Sequence, residues 1–245
     1  MQLSDVNRVI GLHTEGTQQA KEALGVYEWL GDTVDQAQCL IYLAWPLRSE
    51  NQLDAAEEAA SRAIDLLPER GQQFRVNESH RVLGNIRQSK GDTEKAIHHL
   101  EVALGIASPF DWHDTLFWID YELTVLFRDE DKFDDAHAHT ERAKLHIFDN
   151  AYRPGHVMEL QARVRHRQHR VEQARSEALR AADVYEKIVA AKNVKDCRSL
   201  LRYIEKGLDS PVASGQPDLD CERLLLTALL PARIDSPFQA QGTKR

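Results

Sequence analysis

A helical unit that recurs every 40 residues is the feature that most limits how this chain can fold. Its clearest copy runs from Glu78 to Pro109 and contains two apolar patterns at helical spacing, joined by the turn Lys90-Gly91-Asp92. The 245 residues include only 12 glycines and 8 prolines, so few positions interrupt the helical pattern. The sequence therefore predicts an all-α fold built from helix pairs.

Small residues mark the same positions in each copy of the unit. Shifting the clearest copy by 40 residues in either direction, and then by 38 toward the C-terminus, keeps these positions in register. The matching sets are Leu83-Gly84, Ala96, Leu100 and Ala103; Leu43-Ala44, Ala56, Ala60 and Ala63; Leu123-Thr124, Ala136, Thr140 and Ala143; and Ala162, Ala174, Ala178 and Ala181. Small residues allow the two helices of a pair to approach closely, and such pairs gain stability by stacking on their neighbours.

The small residues and the closing proline give the unit a family resemblance. With Gly84 late in the first helix, Ala96 and Ala103 in the second, and Pro109 after it, the unit resembles the tetratricopeptide repeat family over roughly residues 12–190. The resemblance implies a right-handed α-solenoid of helix-turn-helix repeats with a capping helix. The 40-residue spacing is similar to the arrays of kinesin light chains and of fungal NB-ARC-type signalling ATPases, and the phrases KGDTEKAIHHLEVALGIASPF and KFDDAHAHTERAKLH look like the fungal group.

The repeat register divides the chain into a helical repeat domain over 1–207 and a tail. We expect repeats near 1–31, 33–68, 77–108, 115–147 and 153–188, a capping helix at 193–207, and a linker with a largely disordered tail at 208–245. The first repeat is only a partial copy, in which Ala23 and Tyr27 align with Ala181 and Tyr185. Pro46 falls inside a predicted helix, so we expect a kink or a shortened helix in repeat two.

Composition excludes several classes of protein. Lys and Arg number 31 against 39 Asp and Glu, a formal charge of −8, which disfavours sequence-independent binding of nucleic acid. The mean hydropathy is −0.51, and the chain lacks the run of about 20 apolar residues that crosses a bilayer. The N-terminus does not read as a secretory signal, and Cys39, Cys197 and Cys221 form no disulfide-like pattern. We therefore expect a cytoplasmic protein without nucleic-acid or membrane partners.

No motif in the sequence indicates catalysis. A phosphate-binding GxxxxGK[ST] loop and a GxSxG nucleophile elbow are both absent from the sequence. The 11 histidines invite a metal hypothesis, but among His98-His99, His137 with His139, and His166 with His169, only the last pair has tolerable ligand spacing. We predict no enzyme, no cofactor and no metal site; a histidine-based or metal-dependent enzyme is the alternative that the histidine count leaves open.

A single basic cluster interrupts the acidic chain. It consists of Arg163, Arg165, His166, Arg167, His169 and Arg170. One interpretation is a site for an anion or an acidic peptide at one end of the concave surface, because the cluster carries a local field opposite in sign to the whole chain. The other is a solvated helix end whose cations favour the C-terminal dipole.

The resemblance also implies a binding groove, because first helices line the concave surface of such arrays. The predicted groove residues are Trp45, Arg48, Arg81, Asn85, Gln88, Trp118, Tyr121, His156, Glu159 and Arg163. Aromatic residues and arginine are enriched in binding hot spots, although packing between repeats is an equal alternative for Trp45, Trp118 and Tyr121. Arg81 and Asn85 resemble part of a co-chaperone carboxylate clamp, but Glu122 stands where the next Asn would be and would repel such a ligand.

The sequence therefore predicts a non-catalytic protein-interaction scaffold or adaptor that binds a peptide or a helix in the groove. The first alternative is a truncated sensor array of a fungal NB-ARC-like signalling ATPase. A second is self-association through the ends of the solenoid, where apolar faces of terminal repeats stack on one another.

Overall fold

Helices follow one another along the chain with short connections. The computed structural model describes residues 13–68, 71–148, 150–188 and 190–206, and within these residues the chain forms ten α-helices, one 3₁₀ turn and no strand. The helices are α1 His13–Leu30, α2 Thr33–Ser49, α3 Leu53–Leu66, α4 Gln73–Ser89, α5 Thr93–Ala107, α6 His113–Asp129, α7 Phe133–Lys144, α8 Arg153–Arg167, α9 Val171–Lys187 and α10 Ala191–Glu205. The 3₁₀ turn Ser108–Phe110 follows α5.

The helices pack as successive antiparallel pairs. Helix α2 packs on α3, α4 on α5, α6 on α7 and α8 on α9, while α3, α5 and α7 each also contact the first helix of the next pair. This is the arrangement that the repeat register predicts. Among the described helices, none combines the length and the apolar character needed to cross a membrane.

The small residues of the register form the interface within each pair. Their side chains are buried in every repeat; the fully buried alanines of the register are Ala44, Ala56, Ala60, Ala63, Ala96, Ala103, Ala136, Ala143, Ala162, Ala174, Ala178 and Ala181. At Gly84, a Cβ atom would lie 2.8 Å from Leu100 Cγ and 3.2 Å from the carbonyl oxygen of Ala96. The predicted close approach of helices at Gly84 is therefore present in the structure.

The shortened helix expected at Pro46 is wrong. Helix α2 runs unbroken for 17 residues, the same length as α4 and α6. Pro46 lies in the last turn, so it removes only one backbone hydrogen bond near the helix end, and its own carbonyl still accepts from Glu50 N at 2.9 Å. The buried side chains of Leu43 and Leu47 hold the turn against the neighbouring helices.

The two ends of the described region differ. At the C-terminal end, α10 packs on α9 and buries Val194, Cys197, Leu200 and Ile204. At the N-terminal end, α1 leaves the Trp29 side chain 84% exposed. The predicted tail at 208–245 and the first part of the predicted first repeat lie outside the described residues.

Candidate functional site

The predicted groove residues lie on four successive first helices. Trp45 and Arg48 are on α2; Arg81, Asn85 and Gln88 on α4; Trp118 and Tyr121 on α6; His156, Glu159 and Arg163 on α8. We call these ten residues the first-helix row. Contacts between neighbouring helices link some of them, such as Arg81 with Trp45 and His156 with Trp118, because each helix carries its members at the same place in the repeat.

On α2 and α4, the row includes one indole ring with two guanidinium groups near it. The Arg48 guanidinium carbon lies 5.7 Å from the centroid of Trp45, and that of Arg81 lies 5.4 Å from it. Such cation–π contacts favour a cation over the ring face. The Trp45 Nε1–H is buried and donates no hydrogen bond within the described residues. A buried donor without a hydrogen-bond acceptor lowers the stability of the folded protein.

A buried ion pair joins α4 to α6. Arg81 Nε donates to Glu122 Oε1 at 3.1 Å, and Arg81 Nη2 lies 3.1 Å from the same oxygen, with side chains only 8% and 2% exposed. Glu78 lies 3.6 Å from Arg81 Nη1; burial raises the pKa of the Glu78 carboxyl, and Arg81 opposes the shift. From the sequence, Glu122 is expected to repel a carboxylate ligand. In the structure Glu122 instead binds Arg81, so Arg81 bridges two repeats.

On α6 and α8, aromatic rings and a histidine form the row. The Trp118 ring centroid lies 5.7 Å from Tyr121 and 5.6 Å from His156. Tyr185 on α9 shares a hydrogen bond of 2.9 Å with His156 Nδ1. The Trp118 Nε1–H is buried without an acceptor among the described residues, as Trp45 Nε1–H is. From the sequence, Tyr185 is recognised only by its alignment with Tyr27, and its hydrogen bond to the row residue His156 is not predicted.

Most of the row is packed rather than open. Seven of the ten side chains are buried, and Gln88, Tyr121 and Arg163 are half-buried. Arg163 Nη2 pairs with Glu159 at 2.7 Å on the same helix. For Trp45 and Trp118, the packing alternative therefore describes the structure. The indole donors and the Asn85 Oδ1 acceptor still lack hydrogen-bond partners among the described residues.

The basic cluster separates into three groups. Arg163 pairs with Glu159, and Arg167 pairs with Asp131 at 2.8 Å. His166 is buried, while His169 is exposed at a left-handed backbone position with φ 58°. The remaining two, Arg165 and Arg170, line a cavity between α7 and α8. The cluster is therefore not one anion site on the first-helix row.

The histidines form pairs between helices rather than sets of three ligands. Nδ1 of His80 lies 3.1 Å from Nδ1 of His99, and Nδ1 of His113 lies 3.0 Å from Nδ1 of His146. His139 Nδ1 lies 2.8 Å from Asp120 Oδ1. Within the described ranges, no three His, Cys, Asp or Glu side chains converge as a metal site. The thiols of Cys39 and Cys197 are buried, and burial raises the pKa of Cys197 to about 12, so this thiol is not a ready nucleophile.

Because His80 and His99 are partly buried against each other, we expect the free energy of unfolding to fall in mild acid. Burial, with smaller contributions from His99 and His98, lowers the pKa of His80 from 6.5 to about 4. Burial also lowers the pKa of His99, with smaller contributions from His98 and Arg87, while Glu57 and Asp92 act to raise that pKa. Below about pH 6.5 the unfolded chain protonates His80 and the folded chain does not. The free energy of unfolding therefore falls as the pH drops from about 6.5 to about 4, by about 1–2 kcal/mol after allowance for partial exposure.

Thermal unfolding between about pH 7.5 and pH 4 checks this prediction in the wild type and in His80→Gln. The wild type should lose more stability across the window than His80→Gln, while the exposed His137→Gln should follow the wild type. Equal slopes in the wild type and in His80→Gln would contradict the prediction.

Comparison with known proteins identifies the fold but not a family. No protein-family model matches the chain, and no curated protein matches it. Among solved structures, the chain is similar to BtubC (BKLC) from P. vanneervenii, with a TM-score of 0.68 and 15% identity over 96% of this chain and 100% of that one. It is also similar to aspartyl phosphate phosphatase F from Bacillus subtilis, with a TM-score of 0.68 and 13% identity. A Rap protein complexed with Competence and Sporulation Factor gives a TM-score of 0.60 and 14% identity.

These similarities define the class of fold. The two last matches cover 87% of this chain, which spans 56% and 64% of those proteins' lengths. At sequence identities this low, the structural similarity indicates a shared fold and nothing about function. Together with the successive helix pairs, they confirm the predicted all-α solenoid of tetratricopeptide-like helical repeats.

Proposed function

We propose that this protein is a non-catalytic scaffold that binds an extended peptide along the first-helix row. The observation that carries the proposal is the set of unsatisfied polar groups in the row: two indole donors, from Trp45 and Trp118, and one acceptor, Asn85 Oδ1. A peptide backbone presents carbonyl acceptors and N–H donors in alternation. Because all three atoms are buried in the free protein, such a segment would satisfy them once the side chains of the first-helix row open around it.

The aromatic and charged members of the row suit the side chains of such a peptide. Tyr121 is the half-buried aromatic residue of the row and supplies the rigid ring surface that hot spots use, with the buried Trp118 ring packed beside it. The Arg81–Glu122 and Arg163–Glu159 pairs leave the row with both signs of charge, so the proposed ligand does not need a strong net charge. One protein of like fold was solved in complex with a factor, which supports this use of the fold.

Substitution of indole by phenyl tests the proposal, because it removes the donor and keeps most of the ring. A peptide is first selected from a random displayed library on the full chain, and its affinity is then measured by fluorescence anisotropy. Trp45→Phe with Trp118→Phe should weaken binding about tenfold, as expected for two lost hydrogen bonds.

Trp29→Phe is the matched control, since Trp29 is highly exposed and lies outside the row. It should leave the affinity unchanged. The proposal fails if no peptide is enriched, or if Trp29→Phe weakens binding as much as the double variant. Helical content and melting temperature of all variants are measured beside the affinity, which separates lost binding from lost folding.

Two narrower hypotheses remain proposals. Similarity to the sensor arrays of fungal NB-ARC-type proteins would make the chain part of a larger signalling ATPase. Self-association through the N-terminal end is favoured by one observation, the exposed side chains of Val26, Trp29 and Leu30 on α1. A molar mass that rises with concentration in light scattering would support it. We also propose a cytoplasmic location.

A further inference from the structure

A cavity of about 200 Å³ lies between the helix pair α6–α7 and the helix pair α8–α9, away from the first-helix row. Helix α7 contributes Phe133 and His137, helix α8 contributes Val164 and Arg165, and the turn before α9 contributes Gln168 and Arg170. We propose that this cavity is a binding site for a small phosphate ester. The inference goes beyond the scaffold function and does not depend on it.

The ion pairs around the cavity single out its two arginines. Arg163 and Arg167 are each paired with a carboxylate, at 2.7 and 2.8 Å. Arg165 and Arg170 have no carboxylate within 4.0 Å among residues 13–68, 71–148, 150–188 and 190–206. Thus, of the four arginines in this segment, the two that reach the cavity are the two without an ion pair.

The charges and sizes of the lining groups define the class of ligand. Arg165 and Arg170 outweigh the one carboxylate in the lining, that of Asp134, so the cavity is positive. Guanidinium groups bind phosphate with two parallel hydrogen bonds, which makes arginine the usual residue for this ligand. Helix α9 begins directly after Arg170, and its N-terminal dipole adds to the positive field.

The other lining groups fit the organic part of such a ligand. Gln168 Oε1 is buried and accepts no hydrogen bond within the described residues, so it requires a donor such as a hydroxyl group. Phe133 and Val164 offer apolar surface beside it. The cavity is smaller than the roughly 300–1,000 Å³ of pockets for drug-sized ligands. A phosphate ester with a few carbon atoms and a hydroxyl group meets these requirements.

Isothermal titration calorimetry on the full chain tests the site with inorganic phosphate and with glycerol 3-phosphate. Glycerol 3-phosphate should bind more tightly than phosphate, because only the ester can place alcohol hydroxyl groups and carbon atoms beside Gln168, Phe133 and Val164 while its phosphate group contacts the arginines. Arg165→Gln with Arg170→Gln should weaken both ligands at least about tenfold, as expected when two charge-assisted contacts are lost. Arg165 is half-buried and Arg170 is exposed, so we expect this variant to fold.

The control is Arg175→Gln with Arg180→Gln, which makes the same charge change on exposed parts of α9 that do not line the cavity. It should bind both ligands as the wild type does. Equal losses in the two double variants would overturn the site, since they would indicate diffuse charge attraction. The proposed site would also be overturned if neither phosphate nor glycerol 3-phosphate gave a binding heat at about 10 mM. A phosphoserine peptide that binds about tenfold more tightly than glycerol 3-phosphate would assign the cavity to phosphorylated protein and overturn the small-molecule inference.

Discussion

Replacement of Gly155 by alanine should lower the free energy of unfolding by about 2–3 kcal/mol. A Cβ atom at this position would lie 2.6 Å from Cε1 and 2.7 Å from Cζ of Tyr185. The Tyr185 ring is fully buried and its hydroxyl is bonded to His156, so it cannot move aside without loss of packing and of that hydrogen bond. Helices α8 and α9 would have to separate, which disturbs the last helix pair and the α10 that packs on it.

Gly105→Ala is the matched control for this substitution. Gly105 also lies within a helix, but a Cβ there would meet no atom within 4 Å. Alanine should therefore stabilise the protein by about 0.5–1 kcal/mol through its higher helix propensity. Urea unfolding of both variants checks the pair of predictions. A Gly155→Ala protein as stable as Gly105→Ala would show that α8 and α9 do not approach as closely as the structure has them.

The contrast between these glycines shows what the repeat register can predict. Gly84 is recognisable from the sequence because alanine or threonine occupies its position in the other repeats. Gly155 is not, because the register aligns it with Asn77, and Tyr185 with Ala107. In the last full repeat a small residue on the first helix accommodates a large ring on the second. Such a compensated exchange breaks the small-residue pattern and becomes visible only when the two helices are placed together.

The sequence predicts which helices carry the first-helix row, but not which of its side chains are buried or paired with another charge. A resemblance to helical repeats assigns its residues to the first helices, and the contacts between them follow from that assignment. Burial and pairing of charges depend on neighbours 41 residues away, as for Arg81 and Glu122. Sequence spacing alone does not say whether two such charges attract each other or face a ligand.

The basic cluster failed as a single site for a related reason. Successive residues of a helix point about 100° apart, so the arginines of a short basic run lie on different faces. Arg163 and Arg167 are four residues apart, so they lie on the same face of the helix, and each forms an ion pair with a carboxylate. Arg165 lies between them in sequence and faces the cavity instead. The charge of such a run can be read from the sequence. The partner that each charged side chain contacts depends on the residues of the neighbouring helix.

The ion pair between Arg81 and Glu122 leads to a second large effect. Glu122→Gln should lower the free energy of unfolding by about 3 kcal/mol, because it leaves the Arg81 guanidinium buried with a weaker counterion. Glu78 remains 3.6 Å from Arg81 Nη1, and burial raises the pKa of its carboxyl, so it compensates only in part. Glu186→Gln, which breaks the exposed pair with Arg198, should cost less than about 0.5 kcal/mol.

The double variant Arg81→Met with Glu122→Met separates the need for a charge from the need for a partner. Replacing both members of a buried pair by apolar side chains of similar volume is often nearly neutral, whereas removal of one is costly. We therefore expect the double variant to be more stable than Glu122→Gln by about 2 kcal/mol. With Arg81 gone, Glu78 loses the cation that favours its charged form, and this loss offsets part of the gain. Urea unfolding at neutral pH measures both free energies, and a double variant less stable than Glu122→Gln would show that the two repeats require this ion pair for their packing.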